Sequence, residues 1–285
     1  MQVTCSSPGG SAVSTDVPAL QARAERLSAA ATVHADGDQV TITVPANAPA
    51  ANPAELCTPA VLQLRGLLVP PAAVTCSSGT SACSAHPLDA LSRSGLAVPS
   101  TYAAAAALSS DQQQSIQAAL ARYACSAGHT SPAPGGYALA CDSDAAATAY
   151  LLGPTIASNG DISSAVALAP QPSAGRTSWA VVVRFTSRGQ AAWAQYTAAH
   201  NTGGVSPPSV LTCGPSTVAC ADYVAVTLDG LVLSTPVNLE AISGGTLQVS
   251  GAFTAASAKR LAGQLADGSL PVPLAVDSVV NVSGH

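Results

Sequence analysis

Residues 222–274 constrain the fold more than any other part of the chain, because turns, strands and a helix are clearly punctuated there. Tyr223, Ala225 and Thr227 alternate with Val224, Val226 and Leu228, the period of a strand. The run ends at Asp229-Gly230, a favoured two-residue hairpin turn. A second short strand over residues 231–234 stops before Pro236, and Gly244-Gly245 precedes a third over residues 247–250. Thr254 is then placed to cap a helix whose apolar side is Ala258, Leu261, Ala262 and Leu265.

The eight cysteines include no Cys-x-x-Cys, which speaks against zinc and against a thioredoxin-type redox pair. Thr75-Cys76-x6-Cys83 and Thr212-Cys213-x6-Cys220 repeat one pattern, with alanine before the second cysteine, and predict the local disulfides Cys76–Cys83 and Cys213–Cys220. Cys125–Cys141 is the next pair, and Cys5–Cys57 follows by elimination. Each short closure contributes roughly 2–3 kcal/mol in the chain-entropy account. Oxidised cysteines place the chain outside the cytoplasm.

Hydrophobic residues make up 48% of the chain, but only 4% is aromatic and much of the rest is alanine, so the core is thin for 285 residues. A net charge of −5 gives no electrostatic footing for nucleic acid or an anionic membrane. Residues 189–221 carry no Lys, Arg, Asp or Glu, yet Ser, Gly, Pro and Asn interrupt every apolar run before the roughly 18 residues a membrane span needs. Met1 leads directly into Gln-Val-Thr-Cys, so the expectation is a soluble piece of a longer exported protein.

Along the rest of the chain, Asp16-Val17-Pro18 is a helix start, followed by Leu20, Ala24, Leu27 and Ala31 at helical spacing. Residues 32–35 and 39–44 alternate around Asp36-Gly37-Asp38 and predict a hairpin. Residues 53–57 read as one or two helical turns and residues 60–69 as a strand. Residues 70–144, rich in Ser, Pro, Gly and Ala, read as a loop-rich linker fastened by disulfides, with one helix over residues 110–123. Strands over residues 149–153, 161–169 and 179–185 and a helix over residues 187–199, with Ala191, Ala192, Tyr196 and Ala199 inward, complete an α+β pattern without regular βαβ alternation.

The order LDG, TP, I-SGG, SGAFT, LA-L and G-LPVPL within residues 222–274 resembles the first extracytoplasmic domain of SecD, the membrane subunit that assists the Sec export channel. Other segments resemble the same family in the same order. Residues 19–45 are similar to its helix, turn and strand, with Arg26 at the arginine position and Val40, Ile42 and Val44 in the strand; Ala46 stands where the family closes with glycine. Leu64-Arg65 resembles its Phe-Arg, with leucine for the aromatic. Leu139-Ala140-Cys141-Asp142 and Tyr150-Leu151-Leu152-Gly153-Pro154 resemble the actinobacterial form, though Ala149 replaces lysine. Trp179, Val181, Phe185 and Gly189 fit W-x-V-x-x-x-F-x-x-x-G, and Gln2-Val3-Thr4 looks like the tail of the strand before the first helix.

The resemblance implies a ferredoxin-like base interrupted by an inserted α+β head. The base would take residues 1–69 and resume over residues 251–285, around a linker at residues 70–144 and a head at residues 145–250. Residues 16–69 and 254–276 would then pack as one layer. It further implies work at the extracytoplasmic face of the membrane, with unfolded preprotein as client and SecF-like and Sec channel subunits as partners through membrane segments that this chain lacks. The intramembrane acidic residues thought to use the proton gradient are absent with them. A free-standing secreted or lipid-anchored binding module of the same fold is the alternative.

Chemistry is sparse. The five histidines, His34, His86, His129, His200 and His285, are scattered, so neither a metal nor a cofactor is expected. No Gly-x-Ser-x-Gly occurs, and no other nucleophile–base pairing suggests an enzyme. A solvated loop accounts for Asp142 and Asp144, and turn geometry for Asp229. Trp179 and Phe185 share a strand face and read as core. The candidate client contacts are Trp193 and Tyr196, should they be exposed, or strand addition at a free head edge. The candidate hinge is Gly244, Gly245 and Gly251.

Overall fold

The computed structural model describes residues 2–7, 9–27, 30–45, 54–57, 61–76, 83–125, 136–142, 148–203, 212–213, 218–228, 230–250, 253–266 and 274–280. They form a mixed α/β architecture of three sheets. The first holds both ends of the described chain. β1 (Gln2–Ser6) lies between β13 (Ala275–Val280) and β3 (Gln39–Thr43), and β2 (Thr32–Asp36) completes the order β13-β1-β3-β2. The β2–β3 hairpin turns at Gly37, whose φ of 61° suits a residue without a side chain. Helix α1 (Val17–Leu27) begins where the buried Asp16 offers its carbonyl to the Leu20 amide at 2.9 Å. Leu20 and Ala24 pack onto Val3, Cys5, Val40 and Ile42, with Leu56 of α2 (Ala54–Cys57) and Leu274 closing the cluster.

The second sheet closes on itself. β4 (Leu62–Leu67) pairs with β10 (Val224–Leu228), which turns through Gly230 (φ 82°) into β11 (Leu231–Ser234). β11 runs parallel to β6 (Ala138–Asp142), β6 pairs with the long β7 (Thr148–Ser158), and the far half of β7 returns to β4. A short β5 (Ala72–Ala73) adds to β7. Every residue of β4 is buried, which is why alternation is absent there. Leu67 joins Leu152, Ala225 and Val232 in one cluster, while Leu62 and Leu64 join Val224 and Val226 in another.

The third sheet has the order β12-β9-β8, from β8 (Ile162–Leu168), β9 (Ala180–Phe185) and β12 (Thr246–Ser250). Helix α7 (Ala255–Ala266) buries Ala258, Leu261, Ala262 and Leu265 in the same cluster as Val181, Val183 and Val249 of this sheet, and Trp193 of α6 (Ser187–Ala199) enters from the other helix. Ser257 N–H donates to the Thr254 hydroxyl at 3.1 Å, the predicted cap.

Three placements differ from the sequence reading. Leu62–Leu67 form β4 of the closed sheet rather than part of the first sheet: Leu62 and Leu64 bury in an apolar cluster, while Gln63 and Arg65 are buried through hydrogen bonds to each other and to the Gly153 carbonyl. Helix α7 packs on β8 and β9 rather than on the first sheet, so residues 16–69 and 254–276 do not form one layer; what returns to the first sheet is Leu274 and β13. The described residues of 70–144 also hold more regular structure than the one helix expected. They carry β5, β6 and the helices α3 (Asp89–Arg93), α4 (Tyr102–Ala106) and α5 (Ser110–Leu120), and Leu88 just before α3, Ala105, Ile116 and Leu120 bury in one cluster with Leu68, Val69 and Leu151. Helices of five residues leave no periodic signal to read. All four disulfides, Cys5–Cys57, Cys76–Cys83, Cys125–Cys141 and Cys213–Cys220, form as expected.

Candidate functional site

Two places concentrate unusual chemistry. The first is an aromatic junction. Tyr102 reaches from α4 to the backbone of β4 and β7, where Gly66 and Gly153 leave space: a Cβ on Gly153 would stand 2.7 Å from the Tyr102 oxygen. The Tyr102 hydroxyl accepts the Gly66 amide at 3.1 Å. Its ring meets Tyr196 edge-on at 5.6 Å between centroids, and His200 lies 4.9 Å from Tyr102 and 4.7 Å from Tyr196. Tyr196 donates to the Ala221 carbonyl at 2.5 Å. Burial raises the pKa of Tyr102 and of Tyr196 and lowers that of His200. Burial also raises the pKa of Asp222, partly offset by a hydrogen bond from the Ala219 backbone, and its Oδ2 finds no partner among the described residues.

Beside the junction, Arg65 is fully buried. Its Nε donates to Gln63 Oε1 at 3.0 Å, and its Nη1 donates to the Gly153 carbonyl at 2.6 Å and to the Gly136 carbonyl at 2.9 Å. Desolvation lowers its pKa. These contacts tie α4 and α6 to the closed sheet.

The second place is the three-stranded sheet. One face is covered by α6 and α7, and the other carries Val166, Arg184, Thr246 and Gln248 in the open. Val166 is 54% exposed. β8 and β12 each pair on one side only, with β9, so two backbone edges stand unpaired among the described residues. An unpaired edge is a template for an added strand of any sequence.

The sequence candidates fall unevenly on this map. Trp193 is 1% exposed and Tyr196 is 8% exposed, so neither is a surface contact; both lie in the core, while Ala191 and Ala199, expected inward, are exposed. In an alanine-rich helix the largest side chains settle which side faces in. Gly244 and Gly245 enter β12, and the Gly245 carbonyl accepts the Phe185 amide at 2.8 Å. Gln190 Nε2 donates to the Ser243 carbonyl at 2.9 Å, so the turn before β12 is tied to both β9 and α6. Gly251, Asp229, Asp144, His129, His285 and the Arg26 side chain lie outside the described residues. Asp142 ends β6 rather than lying in a loop, and accepts the Thr148 amide at 2.9 Å. Phe185 is buried, and Trp179 packs, partly buried, against the same cluster. No group of three or more metal-binding side chains occurs among the described residues. Sequence reasoning missed Tyr102, a lone aromatic ahead of five alanines, in a chain where aromatics are scarce enough to be a signal.

Residues 138–272 match the family model described as the P1 head subdomain of SecDF. The protein translocase subunit SecD of Mycobacterium tuberculosis (strain H37Rv) is 36% identical over 139 residues, 48% of this chain and 20% of that protein. SecD of Streptomyces coelicolor is 31% identical over 137 residues, 47% of this chain and 21% of that protein. The chain thus spans about a fifth of the length of these curated relatives. A solved chain of SecDF, described as a membrane component that enhances protein export, covers 99% of this chain and 100% of itself with a TM-score of 0.56 at 18% identity. SecDF in its super-membrane-facing form covers 97% of this chain and 29% of itself, with a TM-score of 0.54 at 17% identity. At such identities the structural likeness speaks for the fold alone.

Proposed function

We propose, for a chain that belongs to the SecD family through its first extracytoplasmic domain, that it captures emerging preprotein by adding it to a free edge of the three-stranded sheet. The observation that carries this reading is the open sheet itself, whose β8, β9 and β12 all lie inside the residues matched to the head subdomain. Main-chain hydrogen bonds supply sequence-tolerant affinity, and a face with few charges asks little of the client's side chains. The chain acts as a binder, without catalysis. Membrane segments beyond it would join it to SecF-like and Sec channel subunits at the extracytoplasmic face.

The order β13-β1-β3-β2 suggests a ferredoxin-like base from which the rest is inserted. The chain leaves that base after α2, which Cys5–Cys57 holds, and returns at Leu274. Head and base would move about the places where the chain leaves α2 and returns at Leu274, and so release the client.

Fluorescence anisotropy with a labelled unfolded polypeptide tests the capture. Affinity should be micromolar or weaker, about −8 kcal/mol at best, and a Val166→Lys substitution should weaken it about tenfold by blunting the β8 edge. Equal binding by wild type and variant removes the β8 edge from the proposal, and no binding to any unfolded chain removes the function.

A further inference from the structure

We propose that the cleft between α3 and α5 binds carboxylate-bearing segments of extended polypeptide. This rests on the capture reading above and adds a charge preference to it, at a place outside the residues matched to the head subdomain. The cleft has a volume of about 370 Å³ and is lined by Arg93, Arg122, His86, Ser84 and Ser115, the rest being proline, leucine and three alanines. The whole chain has 10 Lys and Arg against 15 Asp and Glu. Two of those arginines and an imidazole meet around one concavity whose lining includes no carboxylate. On a protein of net charge −5 this is a local reversal of sign.

The scaffold under the cleft is fixed from several sides. Ser84 N–H donates to the Arg122 carbonyl at 2.9 Å, and Ala124 N–H donates back to the Ser84 carbonyl at 2.8 Å. Cys76–Cys83 and Cys125–Cys141 pin the two ends of the segment. Arg93 Nε donates to the Asp89 carbonyl at 3.3 Å and so keeps its guanidinium on α3. Alanines from α3 and α5 line the cleft between the two longer arginine side chains. A guanidinium fork fits a carboxylate with two parallel hydrogen bonds, and the shallow apolar floor suits the stem of a Glu or Asp side chain.

The test uses the whole 285-residue chain and three labelled, unstructured peptides of equal length, one Glu-rich, one uncharged and one Lys-rich. Wild type should bind the Glu-rich peptide about tenfold more tightly than the uncharged one. The Arg93→Gln/Arg122→Gln variant should bring the Glu-rich peptide down to the uncharged level and leave the uncharged peptide unchanged. Raising salt from about 50 mM to about 500 mM on wild type should erase the same difference, a readout independent of how well the variant folds. Equal binding of Glu-rich and uncharged peptides by wild type overturns the cleft proposal and leaves strand capture standing. Binding of the Glu-rich peptide alone supports the cleft and sinks sequence-tolerant capture. Binding of none sinks both. Sedimentation with phosphatidylglycerol vesicles through the same arginines, without any peptide preference, assigns the cleft to lipid headgroups and overturns the peptide assignment.

Discussion

The hydroxyl of Tyr102 accepts the Gly66 amide proton at 3.1 Å, and the same ring occupies the space that a side chain on Gly153 would need. One residue of a five-residue helix therefore meets two strands of the closed sheet at their barest points. Tyr102 joins the helical insertion to the sheet and to α6 together.

Gly153→Ala should destabilise the protein by about 1–3 kcal/mol through overpacking against the Tyr102 ring. A Tyr102→Ala substitution on that background should recover part of the cost. Urea unfolding of the two single variants and the double variant measures the coupling, which should be clearly nonzero. Additive single effects would place Tyr102 elsewhere.

Gly189→Ala should also destabilise, although in an exposed helix interior the same change stabilises by about 1 kcal/mol. A Cβ at this position would lie 2.5 Å from the Asp161 carbonyl oxygen and 2.7 Å from the Asp161 Cβ, so backbone would have to move. Thermal unfolding decides the sign: a raised midpoint contradicts the close approach of α6 to Asp161.

His200 makes stability depend on pH. Burial lowers its folded-state pKa below the ordinary value of 6.5, so the unfolded chain binds its proton first as pH falls. The stability it contributes is present in full above 6.5 and is lost as pH falls through the folded-state pKa. Between about pH 7.5 and about pH 5.5 wild type should lose more stability than His200→Gln in urea titrations. Equal losses would mean the imidazole is solvated in the native state.

The β2–β3 hairpin and the helix caps were legible because their signals are local. Asp16-Val17-Pro18, the alternation around Gly37, and Thr254 each announce themselves within a few residues. Two disulfides followed from repeated spacing, and Cys5–Cys57 from elimination once Cys125 was paired with Cys141. The closed sheet was not legible, since β4–β7 pairing joins residues such as Gln63 and Ser158, and nothing near either one names the other. The face of α6 was misread because alanine on every side leaves no stripe, so the burial of Trp193 had to come from tertiary packing. The junction depends on Gly66 and Gly153 facing one tyrosine from the inserted helices, a coincidence that only the assembled fold creates.

Gln2 and Val280 are register partners on neighbouring antiparallel strands. Tension applied across these two residues would peel β1 from β13 one pair at a time, the mechanically weak direction, rather than shear the whole ladder at once. The peel would pass Gln2, Val3 and Thr4 and then reach Cys5, where load transfers through sulfur to Cys57 on α2. The disulfide thus acts as a mechanical stop that limits how far a pull on this domain can unravel it.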